Sequence, residues 1–109
     1  MNIESYHAHF YYTEETHAKA LSILKKAELE LEGIEQGKAH QKPVGPHPVW
    51  SCQLLVPVAR FEEALKWLMN NREELDIFIH PVTGNDLKDH TDYAMWLGKS
   101  YELKLERFK

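Results

Sequence analysis

The sequence predicts an α+β fold in which strands and helices follow the order β-α-β-β-α-β. Two observations carry that prediction. Short runs such as "YHAHFYY" and "LDIFIH" alternate with period two, as half-buried strands do. Between them lie stretches whose apolar residues recur at helical spacing.

Taken in order, residues 3–12 place Tyr6, Ala8 and Phe10 on one side of a strand and His7, His9 and Tyr11 on the other. Thr13, followed by Glu14 and Glu15, reads as a helix start: a capping hydroxyl, then acids near the positive end of the dipole. Ala20, Leu24, Ala27 and Leu31 keep one face of that helix, and Gly33 stops it. "IEQGKAHQKPVG" is polar and extended, the character of an edge strand, and "GPHP" at 45–48 breaks it. "VWSCQLLVPV" is an apolar strand with Trp50, Cys52, Leu54 and Val56 on one face. Phe61, Ala64, Leu65 and Leu68 predict an amphipathic helix over 59–71. In residues 75–80, Ile77 and Ile79 face one way, and Asp76, Phe78 and His80 face the other. "PVTGNDLKDH" is a turn-rich loop, 90–97 a short helix ended by Gly98, and Tyr101, Leu103 and Leu105 alternate in a last strand.

This is the split βαβ, ferredoxin-like sandwich, extended by a C-terminal short helix and an extra strand. Its strands lie in the order fourth, first, third, second, with both helices on one face. The first strand is expected antiparallel to the fourth and parallel to the third. His7, His47 and His80 then come to one end of the sheet, and His7, His9 and His80 share the face the helices leave open.

The bulk numbers exclude several classes. With 109 residues the chain is a single domain, 1–109, and 43% apolar with 28% charged residues is ordinary for a globular protein. A net charge of −4 without any basic run argues against nucleic acid. No apolar run is long enough for a membrane, and no signal-peptide pattern precedes the first strand. A lone cysteine, Cys52, fits a small core residue in a reducing, cytoplasmic setting. No glycine-rich phosphate loop occurs, and Trp50, Trp67 and Trp96 read as core or subunit contacts.

The unusual number is seven histidines. His-x-His on a strand aims two imidazoles the same way, and imidazole suits iron, zinc and copper. His80 reaches the same face from another strand, while His47 in its Pro-flanked loop and His90 after Asp89 are placed to join. His17 and His40 read as solvated bystanders.

Taken together, "YHAHFYY", "GPHP", "HPVTGNDLKDHT" and "AMWLG" resemble the DOPA 4,5-dioxygenase family of small extradiol-type enzymes, over residues 6–98. The resemblance implies a homodimeric, ferredoxin-like protein that opens catechol rings with non-haem ferrous iron and dioxygen. Zinc or another divalent ion is able to occupy the same imidazole set. His7 and His9 match the first motif, His47 the second, and His80, Asp89 and His90 the third. Metal ligation falls to His7, His9 and His80, either alone or with a carboxylate, for which Asp89 comes first and Asp86 and Asp76 next. Proton transfer falls to His47 and His90, and Tyr11 and Phe78 flank the ring. A substrate carboxylate would rely on Arg60, Arg72, Arg107 or backbone donors. The rivals are a non-catalytic module that binds a metal or a small aromatic ligand, and a cofactor-free monooxygenase or isomerase on the same common fold.

Overall fold

The structure, a computed structural model, describes residues 1–109. Its elements are β1 (Ser5–Tyr12), α1 (His17–Glu30), β2 (Glu35–Gln36), β3 (Trp50–Pro57), α2 (Phe61–Asn71), β4 (Asp76–Pro81), α3 (Asp86–Asp89) and β5 (Met95–Leu97). The sheet runs β2-β3-β1-β4-β5, so the predicted order of the four main strands holds and β5 is added at one edge.

The orientation of one pair differs from expectation. β1 is antiparallel to β3 as well as to β4. The reason is topological: β3 returns beside β2 as its antiparallel neighbour and slots in next to β1. The beginning of β3 therefore meets the end of β1, with Trp50 opposite Tyr12. His47, three residues earlier, enters beside Tyr11 rather than beside His7.

Residues opposite one another in an antiparallel pair share a face. Phe10 stands opposite Cys52 and Ile77, and Ala8 stands opposite Leu54 and Ile79. These six join Ala20, Ile23, Leu24 and Ala27 of α1 and Ala64 and Leu68 of α2 in one core. Both helices thus cover the predicted face, and Cys52 is an ordinary core residue there.

Several boundaries moved. α1 begins at His17 because Thr16 Oγ1 accepts from Thr13 N at 2.9 Å and closes a turn first, which leaves Glu14 and Glu15 outside the helix. It ends near Gly33, whose φ of +87° an L residue adopts only with strain. The expected edge strand shrinks to Glu35–Gln36; beyond it the polar run keeps only separate bonds to β3, from Gly37 N to the Gln53 carbonyl at 2.8 Å and from His40 N to the Ser51 carbonyl at 3.0 Å.

The C-terminal third is rearranged most. Residues 90–97 do not form a helix. The short helix is α3, capped by the Asn85 side chain accepting from Lys88 N, and the extra strand is Met95–Leu97, paired with β4. Nor do residues 101–105 form a strand. β5 already occupies the β4 edge, so "YELKLE" crosses the open face instead and ends in a 3₁₀ turn, Leu105–Phe108. Asp76 fastens this segment by accepting from Lys99 N at 2.8 Å and from the Tyr101 hydroxyl at 2.7 Å. Lys104 N donates to the Pro46 carbonyl at 2.8 Å. No helix is long and apolar enough to cross a membrane.

Candidate metal centre

The centre is assembled by register. His7 lies directly opposite His80 across the β1–β4 pair, and His9 follows two residues on, over Phe78. Their ligand nitrogens all lie within 4.8 Å of one another. The His9 and His80 Nε2 atoms are 3.1 Å apart. At the other side of its ring, His80 donates Nδ1–H to the Pro81 carbonyl at 2.8 Å, which leaves its Nε2 as a lone pair. Two imidazole nitrogens this close must share either a proton or a cation.

Burial disfavours an imidazolium there, which leaves a neutral N–H···N bond between the two rings or a metal ion held by both lone pairs. His9 and His80 are each only 4% exposed. Desolvation holds His9 far below the usual histidine value, helped by repulsion from His47, His80, His7 and His90. Burial also brings His80 down to about 4. His7 is lowered for the same first reason, then by His90. All three rings are therefore neutral at pH 7 and carry lone pairs, the state a metal requires. The donor set fits a first-row divalent ion, and three protein ligands leave positions open.

His47 and His90 flank this trio. The His47 ring centroid lies 4.2 Å from that of His9, and its Nδ1 is 2.7 Å from the Tyr11 hydroxyl. Its backbone reaches there by folding over the open face, since the end of the sheet at which β3 begins is the far one. Burial first, then His90 and other positive neighbours, set its pKa at about 4. The His90 ring lies 4.2 Å from that of His80, tilted by 37°, and donates Nδ1–H to the Asp86 carbonyl at 2.7 Å. Tyr11 and Phe78 share the face as expected, and desolvation pushes the Tyr11 phenol well above its ordinary value.

The three acids each have partners of their own. Asp89 is buried, but both its carboxylate oxygens are taken by Thr83, from the backbone N at 3.0 Å and from Oγ1 at 2.6 Å. It lies outside the three-histidine group, where its charge favours the cationic forms of His7 and His80. Asp86 offers its carbonyl to His90, and Asp76 holds the C-terminal segment.

Sequence reasoning missed the cover. Tyr101 meets Tyr11 at 5.1 Å, Phe108 meets His90 at 4.5 Å, and Trp96 stacks on Phe78 at 4.6 Å. Part of the cover over the open face is this chain's own C-terminal segment. His40, read as a bystander, instead lines a cleft of about 210 Å³ that opens onto His9 and His47. On the other side, a cavity of about 360 Å³ lies beside His90, beneath Trp96, Tyr101 and Leu105. His17 stays apart, stacked on Tyr12.

Comparison with known proteins agrees with this geometry. The model of the Dopa 4,5-dioxygenase family matches residues 6–107. A DOPA 4,5-dioxygenase of Amanita muscaria is 31% identical over 111 residues, covering 94% of this chain and 49% of the relative. An uncharacterised 21.2 kDa protein of Botryotinia fuckeliana is 28% identical, covering 93% and 60% respectively. The chain therefore spans about half the length of these fungal relatives. A crystal structure from Nostoc punctiforme, described as a "putative dioxygenase", superposes with a TM-score of 0.91 at 36% identity, over 95% of this chain and 90% of that one. On a family match that spans nearly every residue, the chain belongs to the Dopa 4,5-dioxygenase family.

Proposed function

We propose that the protein is an extradiol dioxygenase that opens the ring of a small catechol with dioxygen, using ferrous iron held by His7, His9 and His80. The observation that supports it best is the trio of desolvated, neutral imidazoles, with one lone pair fixed by the His80–Pro81 hydrogen bond. Iron bound there would supply the electron transfer that lets a closed-shell catechol react with triplet dioxygen.

The chain's own groups do the rest. In the tautomer that donates Nδ1–H to the Tyr11 oxygen, His47 keeps Nε2 free to take a catechol proton. The buried Tyr11 phenol stays protonated, so it holds that ring without becoming a competing anion. His90, with Nδ1–H committed to the Asp86 carbonyl, likewise keeps Nε2 for a second proton transfer. Phe78, backed by Trp96, offers an aromatic surface against which a ring packs. Tyr101 and Phe108 limit water over the same face.

Anaerobic reconstitution with ferrous iron, followed by a screen of catechols, tests this reading. Oxygen uptake with a yellow ring-opened product that a chelator abolishes is the expected result. Activity that survives complete metal removal would overturn it, as would tight metal binding without oxygen uptake from any catechol.

A further inference from the structure

We propose that residues 98–109 form a lid over the histidine centre, hinged at Gly98 and latched by Asp76, and that its opening controls access to the centre. The inference rests on the three-histidine site of the functional reading, not on the ring-opening chemistry.

The segment is separate from the sheet it covers. Beyond β5 it pairs with no strand, and none of its residues is buried. Three hydrogen bonds tie it to the rest of the chain: Lys99 N and the Tyr101 hydroxyl to the Asp76 carboxylate, and Lys104 N to the Pro46 carbonyl. A segment with so few buried contacts opens locally, before the core does. Asp76 takes two of the three bonds, one on each carboxylate oxygen, so a single side chain holds most of the closed state.

The hinge is shaped for that latch. Gly98 has a φ of +87°, and a Cβ there would overlap Asp76 Oδ1 and come within 2.7 Å of Arg72 Nη1. Glycine thus lets the chain turn off β5 and bring Lys99 N onto the carboxylate.

The lid closes over the flank of the centre. The cavity of about 360 Å³ has the segment from Tyr101 to Lys109 as one wall and holds His90 and Trp96 in the other. Swinging the segment away turns that cavity into open surface. Phe108, near the far end of the lid, lies 4.5 Å from His90, and the His90 ring lies 4.2 Å from that of His80. The Asp76 carboxylate bonds the lid and not the three histidines, so it is a positioning residue.

The test reads lid motion and metal access separately on the full chain. Amide hydrogen exchange followed by NMR should show Lys99 and Lys104 opening together, and much faster than the β1 amides. Asp76→Ala should raise exchange at Lys104 by roughly 5- to 30-fold, although it leaves the Lys104–Pro46 bond untouched. Release of zinc from the loaded chain to excess 4-(2-pyridylazo)resorcinol should rise by the same factor. Tyr101→Phe, which loses one latch bond and keeps the ring, should give a smaller rise in both. Gly98→Ala should raise both with the carboxylate still in place. Ser100→Ala, exposed and on the lid itself, should match the parent. Should Asp76→Ala fail to fold, Tyr101→Phe decides by the same two measurements. Lys104 exchange unmoved in the latch variants, or faster exchange with unchanged zinc release, overturns the inference alone. A parent chain that takes up no zinc overturns the functional reading and the inference with it.

Discussion

The two faces of the sheet are built by the same strands yet obey opposite rules. On the helix side, Ala8, Phe10, Ile77 and Ile79 are buried among apolar neighbours and carry nothing that titrates. On the other side, one residue out of step, His7, His9, Tyr11, Phe78 and His80 are packed nearly as tightly but present imidazole nitrogens to one another. Burial stabilises the first face, because apolar area leaves water. On the second face, burial suppresses protonation and leaves lone pairs with no proton to hold. The pleat thus separates stability from chemistry within one strand.

Exchanging the insult between faces should show the largest contrast. Phe10→Ala should cost about 3–5 kcal/mol in denaturant unfolding, the usual loss for emptying an aromatic core site. His9→Ala or His80→Ala should cost far less, about 1 kcal/mol, since the lost packing is offset by removal of a desolvated polar group. Metal content, measured by elemental analysis after reconstitution, should reverse that ranking. The histidine variants should lose the ion and all turnover, whereas the folded fraction of Phe10→Ala should keep it. Full metal occupancy in both His7→Ala and His9→Ala would end the ligand assignment. His17→Ala serves as the control, whereas His40 does not, because it lines the cleft at His9.

Next come variants that separate holding a metal from moving a proton on the histidine face. His47→Ala and His90→Ala should keep the ion and slow turnover by roughly 10²–10⁴-fold. Tyr11→Phe removes the 2.7 Å bond to His47 Nδ1 and should cost less than His47→Ala, with the pH profile of the rate shifted because the His47 tautomer is no longer held. Asp89→Asn should weaken metal binding by roughly 10–100-fold, the usual scale for a group outside the ligand shell. A direct-ligand role would instead make Asp89→Asn as severe as His9→Ala. Metal titrations of the two variants side by side decide between these roles.

How much of this was legible follows from the same pleat. Alternation alone assigned Ala8 and Phe10 to one face and His7, His9 and Tyr11 to the other, and both assignments stand. Alternation does not say what a strand lies against. "YELKLE" alternates as cleanly as β1, yet it packs Tyr101 onto Tyr11 as a cover rather than joining the ladder. Strand direction was equally hidden. The order of strands was right, but only the β1–β3 register shows that His47 arrives over the sheet face from the Tyr11 end. Asp89 carried no periodic signal at all. Its burial depends on Thr83 supplying both a backbone N–H and a hydroxyl across a turn, a contact no local spacing announces.

The smallest expected difference is in how the two faces respond to acid. His47 and His80 sit at about 4 in the folded chain, below an ordinary value of 6.5, and His9 is shifted the same way. Between those limits the unfolded chain binds protons that the native chain refuses, so stability rises with pH and falls on acidification. In the metal-free protein each of these histidines should contribute a slope of up to about 1.4 kcal/mol per pH unit as pH drops from about 6.5 toward 4. The helix side contributes nothing in that window: burial moves Cys52 up to about 11 and Tyr12 up to about 12. Urea midpoints taken between pH 7 and 5, above the range in which most carboxylates titrate, isolate the histidine share. His47→Phe should lower the slope by about one histidine's worth, and His17→Ala should leave it as it was. A metal-free protein equally stable at pH 7 and pH 5 would mean that the histidine face is wetter than its packing implies. The neutral lone pairs on which metal binding depends would then lose their physical basis.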